Sequence, residues 1–130
     1  MDDYVEVSDS SLNSLSEALS IELWFKPLSS TQDNYARLIE KKDSFVLLYD
    51  AEGDDIYFSV TISGTSYNTA GNKIRVTANQ WYHIVCIYDG DKIYIYCNGR
   101  LWHSVDVPND GIDTNTNSLY IAKSFSGGYF

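Results

Sequence analysis

The chain has 130 residues, enough for one domain with a hydrophobic core of its own. With 44% hydrophobic and 21% charged residues it is a folded globular protein, which excludes a disordered one. A formal net charge of −9 argues against a nucleic-acid backbone or an anionic membrane surface as partner.

No apolar run approaches the about 18 residues of a membrane span, so membrane insertion is not expected. The start, "MDDYVEV", lacks the basic residues and apolar stretch of a signal peptide. Tyrosine is abundant at 11 residues, beside 3 Trp and 5 Phe, and this aromatic bias favours sheet.

Taken in chain order, nearly everything reads as short strands with close turns. "YVEV" alternates at Tyr4–Val7, and the Ser/Asn-rich "SDSSLNSLS" is a loop with one helical turn. "ALSIELWFKP" puts Leu19, Ile21, Leu23 and Phe25 on one face and Ser20, Glu22, Trp24 and Lys26 on the other, until Pro27 ends it. "RLIEKK" and "SFVLLYD" follow as strands, the second apolar on both faces. After the turn "AEGDD", "IYFSVTI" places Ile56, Phe58, Val60 and Ile62 inward. "SGTS" turns into the more polar "YNTA" and "KIRVTA". A long hairpin comes next, then "RLWHSVDV", a loop from Pro108 to Asn117, and "SLYIAK". Helical periodicity is absent over any window long enough to count. Roughly ten short strands of this kind make an all-β fold, a sandwich or barrel.

The hairpin "WYHIVCIYDGDKIYIYCNGRLWHS", Trp81–Ser104, is the strongest local signal. A short loop around Asp89–Lys92 sets Ile84, Cys86 and Tyr88 opposite Cys97, Ile95 and Ile93 on one face. His83, Val85 and Ile87 then oppose Asn98, Tyr96 and Tyr94 on the other. The first face suits the interior between two sheets. The second, with rings and polar tips, suits a surface that either a ligand or protein covers. Cys86 and Cys97 fall diagonal to one another, about 7–8 Å apart and too far for a relaxed disulfide, so two buried free thiols are expected.

Three blocks resemble laminin G-like domains of the concanavalin A-like lectin/glucanase superfamily. They are "DDYVEVSDSSLNSLSEALSIELWFKP", "NQWYHIVCIYDGDKIYIYCNGRL" and "NSLYIAKS", in the family's order. The resemblance implies a two-sheet antiparallel β-sandwich, a jelly roll, over residues 1–130 as a single domain. It also implies a departure: the usual first strand is missing, and so is the usual last strand, which should begin near Gly127–Phe130. Either the chain is a fragment or an unusual minimal member with the gap filled by rearrangement, or a neighbouring subunit donates a strand. The open sheet edges favour the second, a homo-oligomer formed by strand exchange. By the same resemblance Trp81, which opens the "WYH" block, belongs in the core.

Catalysis is not expected. Glycoside hydrolases of this fold need paired carboxylates about 5–5.5 Å apart for retaining chemistry, and no alternating acidic pattern occurs. His83 and His103 have no nucleophile that the sequence places beside them. Calcium is an expectation at "DAEGDD", where Asp50, Glu52, Asp54 and Asp55 offer hard oxygen donors, with Asp2, Asp3, Asp110 and Asp113 as further candidates. A ligand site is expected on the ringed face. Tyr94, Tyr96, His83 and Asn98 share it, and Trp24, Trp102 and Arg75, with Tyr67 and Asn68, are candidates to join them.

The leading expectation is a non-catalytic module that binds glycan or glycoprotein at a concave or rim surface. It would be extracellular or surface-exposed, as part of a larger protein or virion. The alternative is a structural, assembly or adhesion subunit, favoured by the open edges, the bare Met start and the absence of an Asn-x-Ser/Thr sequon.

Overall fold

The computed structural model describes residues 3–28, 35–50, 52–53 and 55–123. Ten strands form in order: β1 (Val5–Val7), β2 (Leu19–Phe25), β3 (Ala36–Lys41), β4 (Phe45–Asp50), β5 (Asp55–Ile62), β6 (Thr65–Asn68), β7 (Tyr82–Tyr88), β8 (Lys92–Cys97), β9 (Arg100–Asp106) and β10 (Leu119–Ile121). One antiparallel sheet has six strands in the order β1-β10-β3-β4-β5-β6. The other has four, in the order β2-β7-β8-β9. The fold is therefore an all-β sandwich, as the alternation required. Gly127–Phe130, where the family's usual last strand is expected to be missing, lies outside the described residues.

Period-two alternation decides what each sheet buries. β5 turns Ile56, Phe58, Val60 and Ile62 inward, each 1% exposed or less. β4 adds Leu47 and Tyr49, and it buries Leu48 on its opposite side as well. The four-stranded sheet answers with Ile21 and Phe25 from β2 and with Ile84, Cys86, Tyr88, Ile93, Ile95 and Cys97 from the hairpin. Each fully buried aliphatic side chain contributes roughly 1.5–3 kcal/mol, so these two rows supply most of the apolar stabilisation.

The hairpin has the register read from its sequence, with Ile84 opposite Cys97, Cys86 opposite Ile95 and Tyr88 opposite Ile93. Gly90 has φ +104°, at the first central position of the loop, where a type II′ turn takes glycine. Cys86 and Cys97 are both free and buried, and burial pushes both thiols up.

The expected helical turn is a short 3₁₀ turn, Ser10–Ser14, capped by the Asp9 carboxylate accepting from the Ser11 amide at 2.7 Å. Lys41, 1% exposed, reaches this turn from β3 and donates to Asn13 Oδ1 at 3.1 Å and to the Asn117 carbonyl at 2.5 Å.

One expected strand is not a strand. "KIRVTA", Lys73–Ala78, alternates and buries Ile74 and Val76, yet it joins no sheet. Its amides are satisfied by side chains instead: Ile74 N–H donates to Asp55 Oδ1 at 2.9 Å, and Thr77 N–H to the Tyr82 hydroxyl at 2.8 Å. Apolar alternation reports burial, and it cannot tell whether a neighbouring strand or a side chain takes the backbone hydrogen bonds.

The face assignment is testable by paired truncation. Ile84→Ala should lower stability by about 2–4 kcal/mol, whereas Ile87→Ala on the opposite face should cost about 1 kcal/mol or less. Urea unfolding of both variants checks this, and equal losses would count against the two faces described.

Candidate functional site

The outer face of the four-stranded sheet is built by pairing between distant segments. β2 and β7 run antiparallel with Trp24 opposite His83, Glu22 opposite Val85 and Phe25 opposite Tyr82. The Trp24 and His83 rings stack at 4.7 Å between centroids, with 26° between planes. His83 Nε2 lies 2.8 Å from Glu22 Oε1, one pair along the same face. Trp24 is 64% exposed and Trp81 is 61% exposed, and together they line an open cleft of about 380 Å³.

Trp81 is thus not a core residue, contrary to expectation. Tyr82 and Ile84 point inward at 7% and 0% exposure, so His83 between them points outward, and Trp81, just ahead of β7, continues the same alternation. The alternation "WYHI" carried that signal, and the family pattern obscured it. Glu22 was also missed as a site residue, although its place on the Trp24 face was legible.

The other expected residues fall into two further groups. Tyr94 lies opposite Ile87 and Ser104, and Tyr96 opposite Val85 and Leu101. The Tyr94 hydroxyl donates to Asp89 Oδ2 at 2.8 Å, which holds that carboxyl below its usual range and raises the phenol. Asp89 Oδ1 accepts from the Asp91 and Lys92 amides at 3.1 and 2.9 Å, so Tyr94 braces the hairpin turn. Tyr96, half-buried, lies one pair from His83 on the Trp24 side of Tyr94.

Arg75, Asn98 and Trp102 line a separate cleft of about 380 Å³, together with Lys73, Ile74, Tyr82 and Cys97. Asn98 also has a structural task. Its Oδ1 accepts from the His83 amide at 3.0 Å, and its own amide donates back to the His83 carbonyl at 2.8 Å. Asn98 and Gly99 have φ +50° and +79°, the two positive values of a type I′ turn between β8 and β9. Trp102 Nε1 donates to the Asn72 carbonyl at 2.6 Å, and Asn72 Nδ2 returns a bond to the Trp102 carbonyl at 2.7 Å. Tyr67 packs against the core, and Asn68 Oδ1 accepts from the Ala70 amide at 3.1 Å.

The acidic candidates sit as follows. Asp50 Oδ1 accepts from the Glu52 and Gly53 amides, both at 3.2 Å, and so organises its own turn. Asp55 is buried on the Ile74 amide, while Asp54 and Asp2 lie outside the described residues. Asp113 caps the β5–β6 turn by accepting from the Ser63 and Gly64 amides, each at 2.8 Å. Asp3 and Asp110 are exposed. No group of three or more His, Cys, Asp or Glu side chains converges as a metal-binding cluster among the described residues.

Comparison with known families gives one match over the whole chain. The Laminin_G_3 model, concanavalin A-like lectin/glucanases superfamily, covers residues 1–130. A comparison with curated protein sequences gives no match. Among solved structures, a protein from Bacteroides ovatus assigned as carbohydrate-binding superposes with TM-score 0.75 at 20% identity, over 97% of this chain and 37% of its own. The mouse laminin alpha1 chain, domains LG4-5, gives TM-score 0.70 at 16% identity, over 92% and 31%. Domain 4 of a GH43 extracellular arabinanase from Geobacillus stearothermophilus, in complex with arabinotriose, gives TM-score 0.60 at 21% identity, over 82% and 52%. At these identities the likeness is one of fold, and the chain spans between about a third and a half of the length of these structures.

Asp55 carries a prediction in pH. Burial, the largest influence, raises its carboxyl above the ordinary value of 3.8, against the pull of the Ile74 and Ile56 amides and the Lys73 charge. A raised folded value means that the folded state holds this proton more tightly than the unfolded chain does. The stabilising contribution is therefore full in acid and is lost as pH rises from about 3.8 through the folded value. Asp55→Asn keeps an acceptor for Ile74 N–H without the charge, so its urea midpoint should gain on that of the unmodified chain between pH 3 and pH 7. A constant difference across that range would show that this carboxyl does not titrate with folding.

Proposed function

We propose that this chain, which belongs to the Laminin_G_3 family of the concanavalin A-like lectin/glucanases superfamily, is a non-catalytic module that binds glycan on its outer sheet face. The observation that carries this reading is the Trp24–Trp81 cleft. Two indole rings stand more than half exposed beside one another, although burying either would be favourable. An open pair of indoles offers stacking surface to the apolar face of a sugar ring, and the Glu22–His83 pair beside it offers partners for hydroxyls. Stacking of His83 on Trp24 fixes the indole plane before ligand arrives, which lowers the ordering cost of binding.

The similarities in fold support this class of function: one relative is assigned as carbohydrate-binding and another holds arabinotriose. Hydrolysis fits the cleft poorly. Its lining is the two tryptophans alone, and the neighbouring Glu22 is engaged by His83 without a second carboxylate in the cleft among the described residues. No helix among the described residues is long and apolar enough to cross a membrane. The reading places the module at an extracellular or surface-exposed location within a larger protein or virion.

A glycan array followed by calorimetry on the positive sugars tests it. Trp24→Ala and Trp81→Ala should each weaken binding by about tenfold or more, while Tyr4→Ala, at an exposed ring beside β1 of the other sheet, should leave affinity within about twofold. No binding to any sugar at high density, or tryptophan variants that bind normally, would refute the reading.

A second reading, self-association, has its own support. β2 is an edge strand, and no strand pairs with its outer side among the described residues. Beside that edge an apolar groove of about 320 Å³ runs between the sheets, lined in part by Leu12, Leu15, Leu19, Ile39 and Leu119. An unpaired edge next to an apolar groove suits an added strand, whose backbone would pair with β2 while alternate side chains fill the groove. Sedimentation at micromolar concentration should then reveal dimers or larger species. A single monomeric boundary would exclude this reading.

A further inference from the structure

We infer that the cleft beside the Asn98–Gly99 turn is a second binding site, distinct from the Trp24–Trp81 cleft and selective for a carboxylate or sulfate carried on a sugar ring. The inference starts from where the cations are. The chain carries nine Lys and Arg against 18 Asp and Glu, and most of its described cations are already engaged. Arg37 pairs with Glu40 at 3.4 Å, Lys42 with Asp43 at 4.0 Å and Lys92 with Asp106. Lys41 is buried on Asn13 and Asn117, and Lys123 lies 3.8 Å from the Tyr4 ring centroid.

Arg75, Arg100 and Lys26 have no carboxylate within ion-pairing distance among the described residues, and of these the two arginines are exposed while Lys26 is half-buried. Arg75 lines the cleft with Trp102, and Arg100, which is not part of the lining, stands with its guanidinium 5.9 Å from the Trp102 ring centroid. Lys73 belongs to the same cleft but donates to the Gly53 carbonyl at 3.1 Å, and its charge acts on Asp55. Arg75 is therefore the one guanidinium in the cleft lining, with the Lys73 ammonium on the same lining and Arg100 beside Trp102.

The chemistry of the cleft narrows the ligand. A guanidinium presents a planar fork of donors matched to the paired oxygens of a carboxylate or sulfate. Around it a net charge of −9 disfavours anions at long range, and screening confines that repulsion to about 8–10 Å. A bare anion gains little from so acidic a protein. One mounted on a ring gains more, because the half-buried indole of Trp102 lines the same cleft. Asn98 adds donors: with its Oδ1 fixed by the His83 amide, its Nδ2 has no acceptor among the described residues. The Arg75 fork in the cleft, Arg100 beside Trp102, one amide donor and an indole make a site for an acidic sugar. That the carrier is a sugar rests on the glycan reading above; the preference for an anion does not.

The experiment titrates the protein with three oligosaccharides of similar length: neutral cellotetraose, a tetragalacturonate and a heparin-derived tetrasaccharide. Calorimetry measures affinity for the unmodified chain, Arg75→Gln, Arg100→Gln, Arg75→Lys and a Trp24→Ala/Trp81→Ala double variant. Thermal melts confirm that each variant folds. At least one acidic oligosaccharide should bind more tightly than the neutral one, weaken with added salt and lose about tenfold in each glutamine variant. Arg75→Lys should fall between, because it keeps the charge and loses the fork. The uronate and sulfate arms distinguish which oxyanion is preferred.

Equal affinity for all three sugars, or acidic binding that survives Arg75→Gln and Arg100→Gln, would overturn the inference. Neutral binding lost only in the tryptophan double variant would then leave the outer-face reading standing alone. Acidic binding lost in the arginine variants but kept in the tryptophan double variant would uphold this inference independently of the outer-face site. Binding of none of the three sugars would overturn the inference.

Discussion

Both the core and the candidate site depend on the register of the β7–β8 hairpin. Alternation leaves no freedom: a slip of one residue would turn over the strand that slips, carrying His83 of β7, or Tyr94 and Tyr96 of β8, into the space between the sheets and exposing Ile84, or Ile93 and Ile95. The polar tips so buried would lose water without gaining partners, while the isoleucines would lose their burial. The register is held at both ends. At the β7–β8 turn, Asp89 accepts from two backbone amides and from the Tyr94 hydroxyl. At the far end, Asn98 exchanges hydrogen bonds with His83 on the neighbouring strand. Residues at the edge of the candidate site thus hold the strand pairing that aims it.

The irregular segment after β6 has a related logic. A ladder partner would have satisfied Lys73–Ala78 and fixed it as one more strand. Asp55, Tyr82 and the reciprocal Asn72–Trp102 bonds hold it from the side instead. Ile74 and Val76 still seal the end of the core, and the residue between them, Arg75, is turned outward against the β8–β9 turn. A regular strand would have placed Arg75 in a row of cross-strand neighbours. Side-chain anchoring leaves room around it, and a cleft forms where the strand is missing.

What was legible in the sequence follows the range of the interactions involved. The strands and the two hairpin faces were legible because a period of two is local, and a single short turn sets the register. The diagonal cysteines followed from the same register. Trp81 was misplaced because a family pattern was given more weight than the alternation of Trp81, Tyr82, His83 and Ile84. The loop character of Lys73–Ala78 was hidden because its backbone acceptors lie on β5 and β7. Convergence was the least legible property. The Trp24–His83 stack requires β2 to pair with a strand some sixty positions away, and Trp102 meets Arg75 only through the Asn72 loop. Residues expected to form one site therefore divide among a tryptophan cleft, an arginine cleft and a turn brace.

The position of the tryptophan cleft links the glycan reading to the self-association reading. Trp24 stands on β2, the edge strand, so one flank of the cleft is bounded by an unpaired backbone. A strand added to β2 would bring its own outward side chains level with Glu22 and Trp24, one strand spacing of about 4.8 Å away. Such a strand would widen the outer face and give the cleft a wall that it lacks in the single chain. Its alternate side chains would meanwhile enter the groove beside Leu19 and Ile39. Association at this edge would thus change ligand affinity through direct contact, and ligand would change association by the same factor. A strand added to β2 makes no direct contact at the arginine cleft, whose Trp102 stands on β9 at the opposite edge of the sheet.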